Sequence, residues 1–278
     1  MPLKNGVSLL VMVAASMGSF LSAKAVANDD ITWGVNSAPP FHIYDGEYKD
    51  AGVCDALVSA FQQELPQNIH NIRKLPSKRI TMIMKRSKNL CFPCVIKNSP
   101  YNDTFLYSDT THKYAPHGVI TNRDTAQYIT AKYGYPVRFE ELAKDTDLRF
   151  GQPDERRYGK LQPFIDDYLL NSSNFSFISG QKSHVSVLAM ILNDRIDYTV
   201  DYEMIKTYYQ RTHDDGAKLS FIPIAEYDGQ VIEGAVGCTR NEWGKRTIET
   251  LNSAISSVQS NSEFQRALER WLGPNRPR

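Results

Sequence analysis

The chain has 278 residues, with 32 basic and 31 acidic side chains and a formal net charge of +1. That balance gives no basic surface of the kind that binds nucleic acid through its phosphates. The six histidines form no helical metal pair, and there is no Gly-x-Ser-x-Gly elbow, phosphate-binding glycine loop or dinucleotide fingerprint, so the commonest metal, hydrolase and nucleotide signatures are missing.

Residues 1 to 27 read as a secretory signal. Lys4 gives a charged start and Gly6 to Leu21 is an apolar run. Ala23-Lys24-Ala25 and Ala25-Val26-Ala27 are both small-x-small cleavage patterns. We expect cleavage after Ala27, with Ala25 as the alternative. The apolar run is short for a membrane span, and no second one follows. Removing Lys4 and Lys24 leaves 30 basic residues against 31 acidic ones, so the mature chain is about neutral. An oxidising compartment, a bacterial periplasm, is expected. The remaining length suits two lobes.

Ile31 to Val35 predicts a strand, stopped by Asn36-Ser37-Ala38-Pro39-Pro40 because two prolines cannot continue a central strand. Phe41, His42 and Tyr44 then present rings on an extended loop, and Asp45-Gly46 signals a turn. Val53, Ala56, Leu57, Ala60, Phe61 and Leu65 keep helical spacing, so residues 52 to 65 predict an amphipathic helix. Asn71 to Leu75 is a weaker strand. Ser77 is the expected N-cap of a helix with Ile80, Ile83 and Met84 on its buried stripe. Leu90 to Ile96 is a near-continuous apolar run, which predicts a strand buried on both faces. Lys97, Asn98 and Ser99 follow it. They stand where open parallel sheets bind ligands, just beyond a strand's carboxyl end.

The order strand, helix, strand, helix, strand argues for a parallel sheet with crossover helices. Val119 to Thr121 leaves that unit as a strand. Thr125 to Lys132 and Phe139 to Ala143 are short helical pieces. Leu148 to Gly151 opens a second unit, followed by a polar segment and a helix carrying Leu161, Phe164, Ile165 and Leu169. Phe175 to Ile178 predicts a strand, and Ser183 caps a helix with Val187, Leu188, Ile191 and Leu192. Ile196 to Val200 is a strand with Asp201 at its carboxyl end, and Met204, Ile205 and Tyr208 mark a helix. The tail holds strands at Leu219 to Ile224 and Val231 to Cys238. Two helices close it, the second stopped by Gly273-Pro274.

The four cysteines are Cys54, Cys91, Cys94 and Cys238, an even number that predicts disulfides in an exported chain. Cys91-Phe-Pro-Cys94 sits in a predicted strand, not at the helix N-terminus a redox pair needs. A four-cysteine zinc site has only one close pair to support it. At least one disulfide is expected, with Cys91 the preferred strand partner. A Cys91–Cys94 bridge is disfavoured, because side chains three apart on a strand point to opposite faces.

The ordered features resemble the type II periplasmic solute-binding proteins, in particular extracellular solute-binding family 3, whose members bind polar amino acids. The pieces are Ile31 to Phe41 with its Pro-Pro-Phe, Gly52 to Leu65, and Cys91 to Ser108. Leu148-Arg-Phe-Gly151, Asp194 to Asp201 and the final Phe264 to Leu272 helix complete the set. The resemblance implies an α/β fold of two lobes, each a mostly parallel sheet flanked by helices, joined by two crossing hinge strands. Lobe one would take residues 28 to 118 and 230 to 278, and lobe two residues 119 to 229.

It also implies a ligand enclosed between the lobes. Pro40, Phe41, Lys97, Asn98, Ser99 and Asn102 would line it from lobe one, and Arg157, Tyr158, Asp201 and Tyr202 from lobe two. Asn102 stands where amino-acid binders place the arginine that holds the ligand carboxylate, and an amide lacks that charged fork. Asp201 matches the residue that holds the ligand amine. Arg157, in a polar loop ahead of a helix, would supply the missing charge from the opposite side. The implied function is capture of a small polar solute, amino-acid-like or another small anion or zwitterion, for an ABC transporter permease or a sensor. The alternative is an enzyme on the same scaffold, such as a dehydratase acting on a cyclic carboxylic acid, with Asp201 or Glu203 as acid–base group. A partner protein that has lost solute binding is a third reading. No cofactor, metal or nucleic acid is expected, and the chain is expected to be a monomer.

Overall fold

The computed structural model describes residues 1, 30–97, 104–153, 156–180, 182–273 and 277. The first unit runs β1 (Ile31–Val35), α1 (Val53–Glu64), β2 (His70–Lys74), α2 (Ser77–Lys85) and β3 (Cys91–Ile96). β2 and β3 both lie parallel to β1, as strand–helix crossovers require. Two three-residue strands follow, β4 (Phe105–Tyr107) and β5 (His112–Tyr114). They are too short for a period-2 pattern to reveal them.

β6 (Gly118–Asn122) enters a second unit of α3 (Arg123–Tyr133), α4 (Phe139–Ala143), β7 (Phe150–Pro153) and α5 (Gln162–Phe164). α5 is one piece of a composite helical run. A 3-10 turn at Gly159–Leu161 precedes it and a π-turn at Ile165–Leu169 extends it. Then come β8 (Phe175–Ile178), α6 (Ser183–Leu192), β9 (Tyr198–Asp201), α7 (Glu203–Thr212) and β10 (Leu219–Pro223). The chain returns through β11 (Ile232–Thr239) and ends in α8 (Glu242–Ser260) and α9 (Ser262–Leu272).

The strands form two sheets. One has the order β2-β1-β3-β11-β4, with β5 also on β11; the other has the order β10-β6-β9-β7-β8. Each has a parallel half flanked by helices and an antiparallel half made by the returning strands. The first core is built around Trp33, Phe61, Phe264 and Trp271, the second around Phe139, Phe150, Tyr158 and Tyr198, all fully buried. The first core does not stop at its own sheet. Val187, Leu188 and Ile191 of α6 and Ile205 and Tyr208 of α7 belong to it. Tyr208 meets Trp271 of α9 at 5.6 Å between rings.

Two local expectations differ from what is observed, and the cysteine pairing goes beyond the one disulfide expected. β3 is not buried on both faces: burial alternates along it, since one face packs on the core and the other is half-buried. Its pairing with β11 also slips at Pro93–Cys94, where Cys94 takes a positive φ of 59°. Ser77 and Ser183 are first helical residues, and Pro76 and Lys182 hold the cap positions without a side-chain bond. All four cysteines are bridged, Cys54 to Cys94 and Cys91 to Cys238, which uses up the ligands of a zinc site. Cys91 and Cys94 do point apart, one to β11 and the other to α1.

Candidate functional site

The site begins where β1 ends. Pro39 and Pro40 cannot extend the strand, so the chain folds back, with Phe41 N donating to Ala38 O at 2.8 Å. The start of α1 holds this turn. Val53 N and Cys54 N donate to the carbonyls of Pro40 and Phe41 at 3.0 and 2.9 Å. Asp55 fastens the next segment: Oδ1 lies 2.6 Å from His42 Nδ1, and Oδ2 accepts from Ile43 N at 2.9 Å and Gly52 N at 3.1 Å. Phe41 and Tyr44 are thereby fixed on the first lobe's upper edge.

Beside them, β2 ends at Lys74 and α2 starts at Ser77. Asn36 Nδ2 donates to Ser77 Oγ at 3.0 Å, tying the two strand ends together. Lys74 Nζ stands 4.4 Å from the centre of the Tyr44 ring. From the second sheet come Arg156, just after β7, and Gly180, Ser183 and His184, between β8 and the start of α6. These groups, with Phe92 of β3, wall a cavity of about 590 Å³. It lies beyond the carboxyl ends of parallel strands in both sheets, where open α/β sheets bind ligands.

Under the cavity sits a buried ion pair. Arg156 Nη2 is 2.9 Å from Asp201 Oδ2; the arginine side chain is 20% exposed and the aspartate not at all. Asp201 Oδ1 also accepts from Tyr202 N at 2.7 Å. Burial pushes the Asp201 carboxyl above its ordinary value and Arg156 pulls it back. The guanidinium stays charged in any protein setting. Tyr202 packs below on Phe41, Tyr114 and His117, with ring centres 6.2, 5.1 and 4.0 Å away.

Two contacts bridge the cavity's mouth. His184 Nε2 bonds to Pro39 O at 2.7 Å, and Lys182 Nζ pairs with Asp45 Oδ1 at 2.9 Å. A carbonyl only accepts, so His184 carries its proton on Nε2 and leaves Nδ1 as an acceptor. Burial, then the Arg156 charge, lower the His184 pKa to about 3. Burial, then Asp55, raise the Tyr44 phenol to about 12. Tyr44 Oη is buried and has no hydrogen-bond partner among the described residues.

Of the residues expected from sequence, Phe41 lines the cavity. Pro40 is buried behind it, and its carbonyl is taken by Val53. Lys97 continues the pairing of β3, its N–H donating to Glu233 O at 2.9 Å, and is not among the lining groups. Asn98, Ser99 and Asn102 lie outside the described residues. Arg157 was expected to bring the charge from lobe two, but its side chain is exposed and donates to Arg156 O at 3.1 Å. The arginine at the cavity wall is its neighbour, Arg156. Asp201 was expected to meet a ligand amine; it is instead fully buried and engaged by Arg156, since a buried carboxylate needs a cation partner. Tyr158 and Tyr202 are buried and serve as floor, not lining.

Sequence reasoning passed over Lys74, Ser77, Lys78, Ser183 and His184. The rule that pointed to Lys97, reading just beyond a strand's carboxyl end, applies equally after β2 and β8 and would have found them.

No family model and no curated protein matches the chain in sequence. Solved structures do match. A protein of glutathione import through the cystine ABC importer of Streptococcus mutans superposes with a TM-score of 0.67 at 12% identity, over 90% of this chain and 97% of that one. A histidine kinase sensor domain similar to periplasmic binding proteins gives 0.65 at 12%, over 90% and 98%. A Salmonella typhimurium periplasmic binding protein of high arginine specificity gives 0.60 at 10%, over 88% and 100%. The chain therefore has the two-lobed fold of type II periplasmic binding proteins.

Proposed function

We propose that this protein captures a small solute between two lobes and presents it to a membrane transporter or sensor. The observation that carries the reading is the cavity of about 590 Å³ at the strand ends of both sheets, with the His184–Pro39 and Lys182–Asp45 contacts joining its two sides. Contacts between lobes that exist only in the closed form are what let a ligand shift an open–closed equilibrium. Solute-binding and sensor proteins of the same fold support it, as amino-acid and cystine binders appear among the structural neighbours. Residues 28 to 118 with 230 to 278 form one lobe in this reading, and 119 to 229 the other. The chain works in the periplasm as a monomer, after loss of residues 1 to 27.

Capture is favoured over catalysis by the lining itself. No described lining residue is a carboxylate, and Asp201 is held by Arg156, so neither offers a free acid–base group. An ancestral amino-acid binder that preceded cyclohexadienyl dehydratase shares the fold, but fold does not carry function. Native mass spectrometry of protein purified without denaturation tests the reading. A retained, unaltered small molecule is expected. Protein that retains nothing, and whose melting temperature no metabolite pool raises, overturns it; release of a converted product moves the protein to the enzyme class.

A further inference from the structure

The charges of the chain balance as a whole but not locally. Between Glu64 and Asp103 there is no carboxylate, and eight lysines and arginines fall in that interval. Seven of them lie from Arg73 to Lys88, over β2, α2 and the turn that follows. Lys74 and Lys78 belong to the cavity wall described above. The other five, Arg73, Arg79, Lys85, Arg86 and Lys88, are exposed and line no part of the cavity. None of these five has an ion-pair partner among the described residues.

Folding accounts for only part of this crowding. Cations on an edge strand discourage pairing with other chains, which suits Arg73 on β2. A helix has no such edge. Lys85 and Arg86 stand at the negative end of α2, which favours them. Arg79 stands in the first turn, where the helix dipole disfavours a cation, and no acidic residue in that turn offsets it.

Met82 sits in the middle of the same helix face. Helix neighbours lie three and four residues apart, so Met82 has Arg79 on one side and Lys85 and Arg86 on the other. Its side chain is 51% exposed, and Ile69 and Ile72, at the start of β2, are 62% and 49% exposed. Protein interfaces are poor in lysine and bury their apolar anchors in pockets. A helix with a basic face and an exposed apolar side chain among the cations is instead what rests on anionic headgroups.

We infer that the exposed face of α2, with Arg73 before it and Lys88 after it, binds a bilayer surface of anionic phospholipids. The cations meet the headgroup phosphates, and the flexible Met82 side chain enters between them. Lys74 and Ser77, in the same segment, wall the cavity. Attachment through this face therefore brings the cavity close to the membrane, where a transporter or sensor takes up its solute. Attachment needs no captured solute, so it goes beyond the capture reading and stands or falls separately from it.

Co-sedimentation of the full mature chain with vesicles tests this. One set is phosphatidylcholine alone, and the other an equal mixture of phosphatidylcholine and phosphatidylglycerol. At low ionic strength the mixed vesicles should bind at least about tenfold more tightly than the neutral ones, and salt at about 0.5 M should release the chain. Each cation near an anionic surface is worth about fivefold in affinity, so Arg79→Gln, Lys85→Gln and Arg86→Gln together should weaken binding about a hundredfold. All three side chains are exposed, so the melting temperature should hold. Arg195→Gln, Lys218→Gln and Lys245→Gln together remove the same charge from other exposed positions and should leave binding close to that of the wild type. Met82→Gln keeps every charge and should weaken binding severalfold. Equal binding to both vesicle types, no binding to the mixed vesicles at low salt, an equal loss in the two triple variants, or full affinity in Met82→Gln overturns the inference. Native mass spectrometry decides separately whether a solute is captured.

Discussion

His184 Nε2 and the Pro39 carbonyl, 2.7 Å apart, join the start of α6 to the turn after β1 across the cavity's edge. Within the closed protein the imidazole is buried beside Arg156, and its pKa falls to about 3. The charged or titratable neighbours are Arg156 with Asp201 behind it, and the Lys182–Asp45 pair at the rim. Above pH 6.5 the ring is neutral whether the cleft is open or shut, so closure bears no proton cost. As pH falls from 6.5 towards 3, an open cleft lets His184 take a proton that the closed form refuses. Closure loses about 1.4 kcal/mol per pH unit over that window, about 2 kcal/mol at pH 5. Small-angle scattering should give a larger radius of gyration at pH 5 than at pH 7.5. His184→Gln keeps a donor without a titration and should abolish the difference. Equal radii at both pH values in the wild type would count against a proton-sensitive latch.

The disulfides differ in how much chain they close. Cys54–Cys94 spans 40 residues and Cys91–Cys238 spans 147. By loop entropy these remove about 4 and about 5 kcal/mol of disorder from the unfolded chain. The double serine variant of Cys91 and Cys238 should therefore lower denaturant stability more than that of Cys54 and Cys94. The Cys54–Cys94 bridge also fastens α1, whose N-terminus holds the Pro39-Pro40-Phe41 turn. Urea titration of both variants checks the order, and the reverse order would mean that native contacts outweigh the loop term.

Much of the fold is legible in the sequence because its longer elements repeat their apolar residues at one clear period. α1, α4, β1 and β8 fall within a residue of where that period puts them. β4 and β5 do not, since three residues carry no period. Their pairing with β11 is a tertiary event. The site is less legible. Arg156 and Arg157 are adjacent and chemically identical, and only the course of the loop after β7 decides which one turns inward. A buried strand ending in Asp201 was the available hint that one of them must. Asp201 itself reads as a ligand group, because a carboxylate at a strand's carboxyl end looks the same in sequence whether solute or arginine neutralises it.

Gly52 is the point where α1 touches the binding turn. A Cβ there would lie 2.2 Å from the Phe41 carbonyl oxygen, and backbone cannot step aside as a side chain tip can. Gly52→Ala should displace the Phe41 turn and cost about 1–3 kcal/mol, the usual range for forced overpacking. It should also lower ligand affinity, because Phe41 lines the cavity. Thermal melts of the variant give the first answer. A melting temperature equal to that of the wild type would show that the turn has slack that the structure does not reveal.

Arg156 and Asp201 give the sharpest test, because single and double variants should move stability in unequal steps. Asp201 is fully buried, and its two oxygens are engaged by Arg156 Nη2 and Tyr202 N. Asp201→Ala leaves a guanidinium at the cavity floor without its counter-ion, and breaking a buried pair from one side costs about 3–5 kcal/mol. Arg156→Met leaves the reverse problem, a carboxylate in an apolar setting. That site answers by protonating, so its cost should shrink as the pH is lowered from 8 to 5, whereas the Asp201→Ala cost should not. Replacing both, Arg156→Met with Asp201→Leu, removes the two desolvated charges together and should cost less than either single change. Urea denaturation of the four proteins at both pH values supplies the double-mutant cycle. Additive costs would mean that the pair is solvated well enough for each charge to stand alone, and Asp201 would then be free to meet a solute after all.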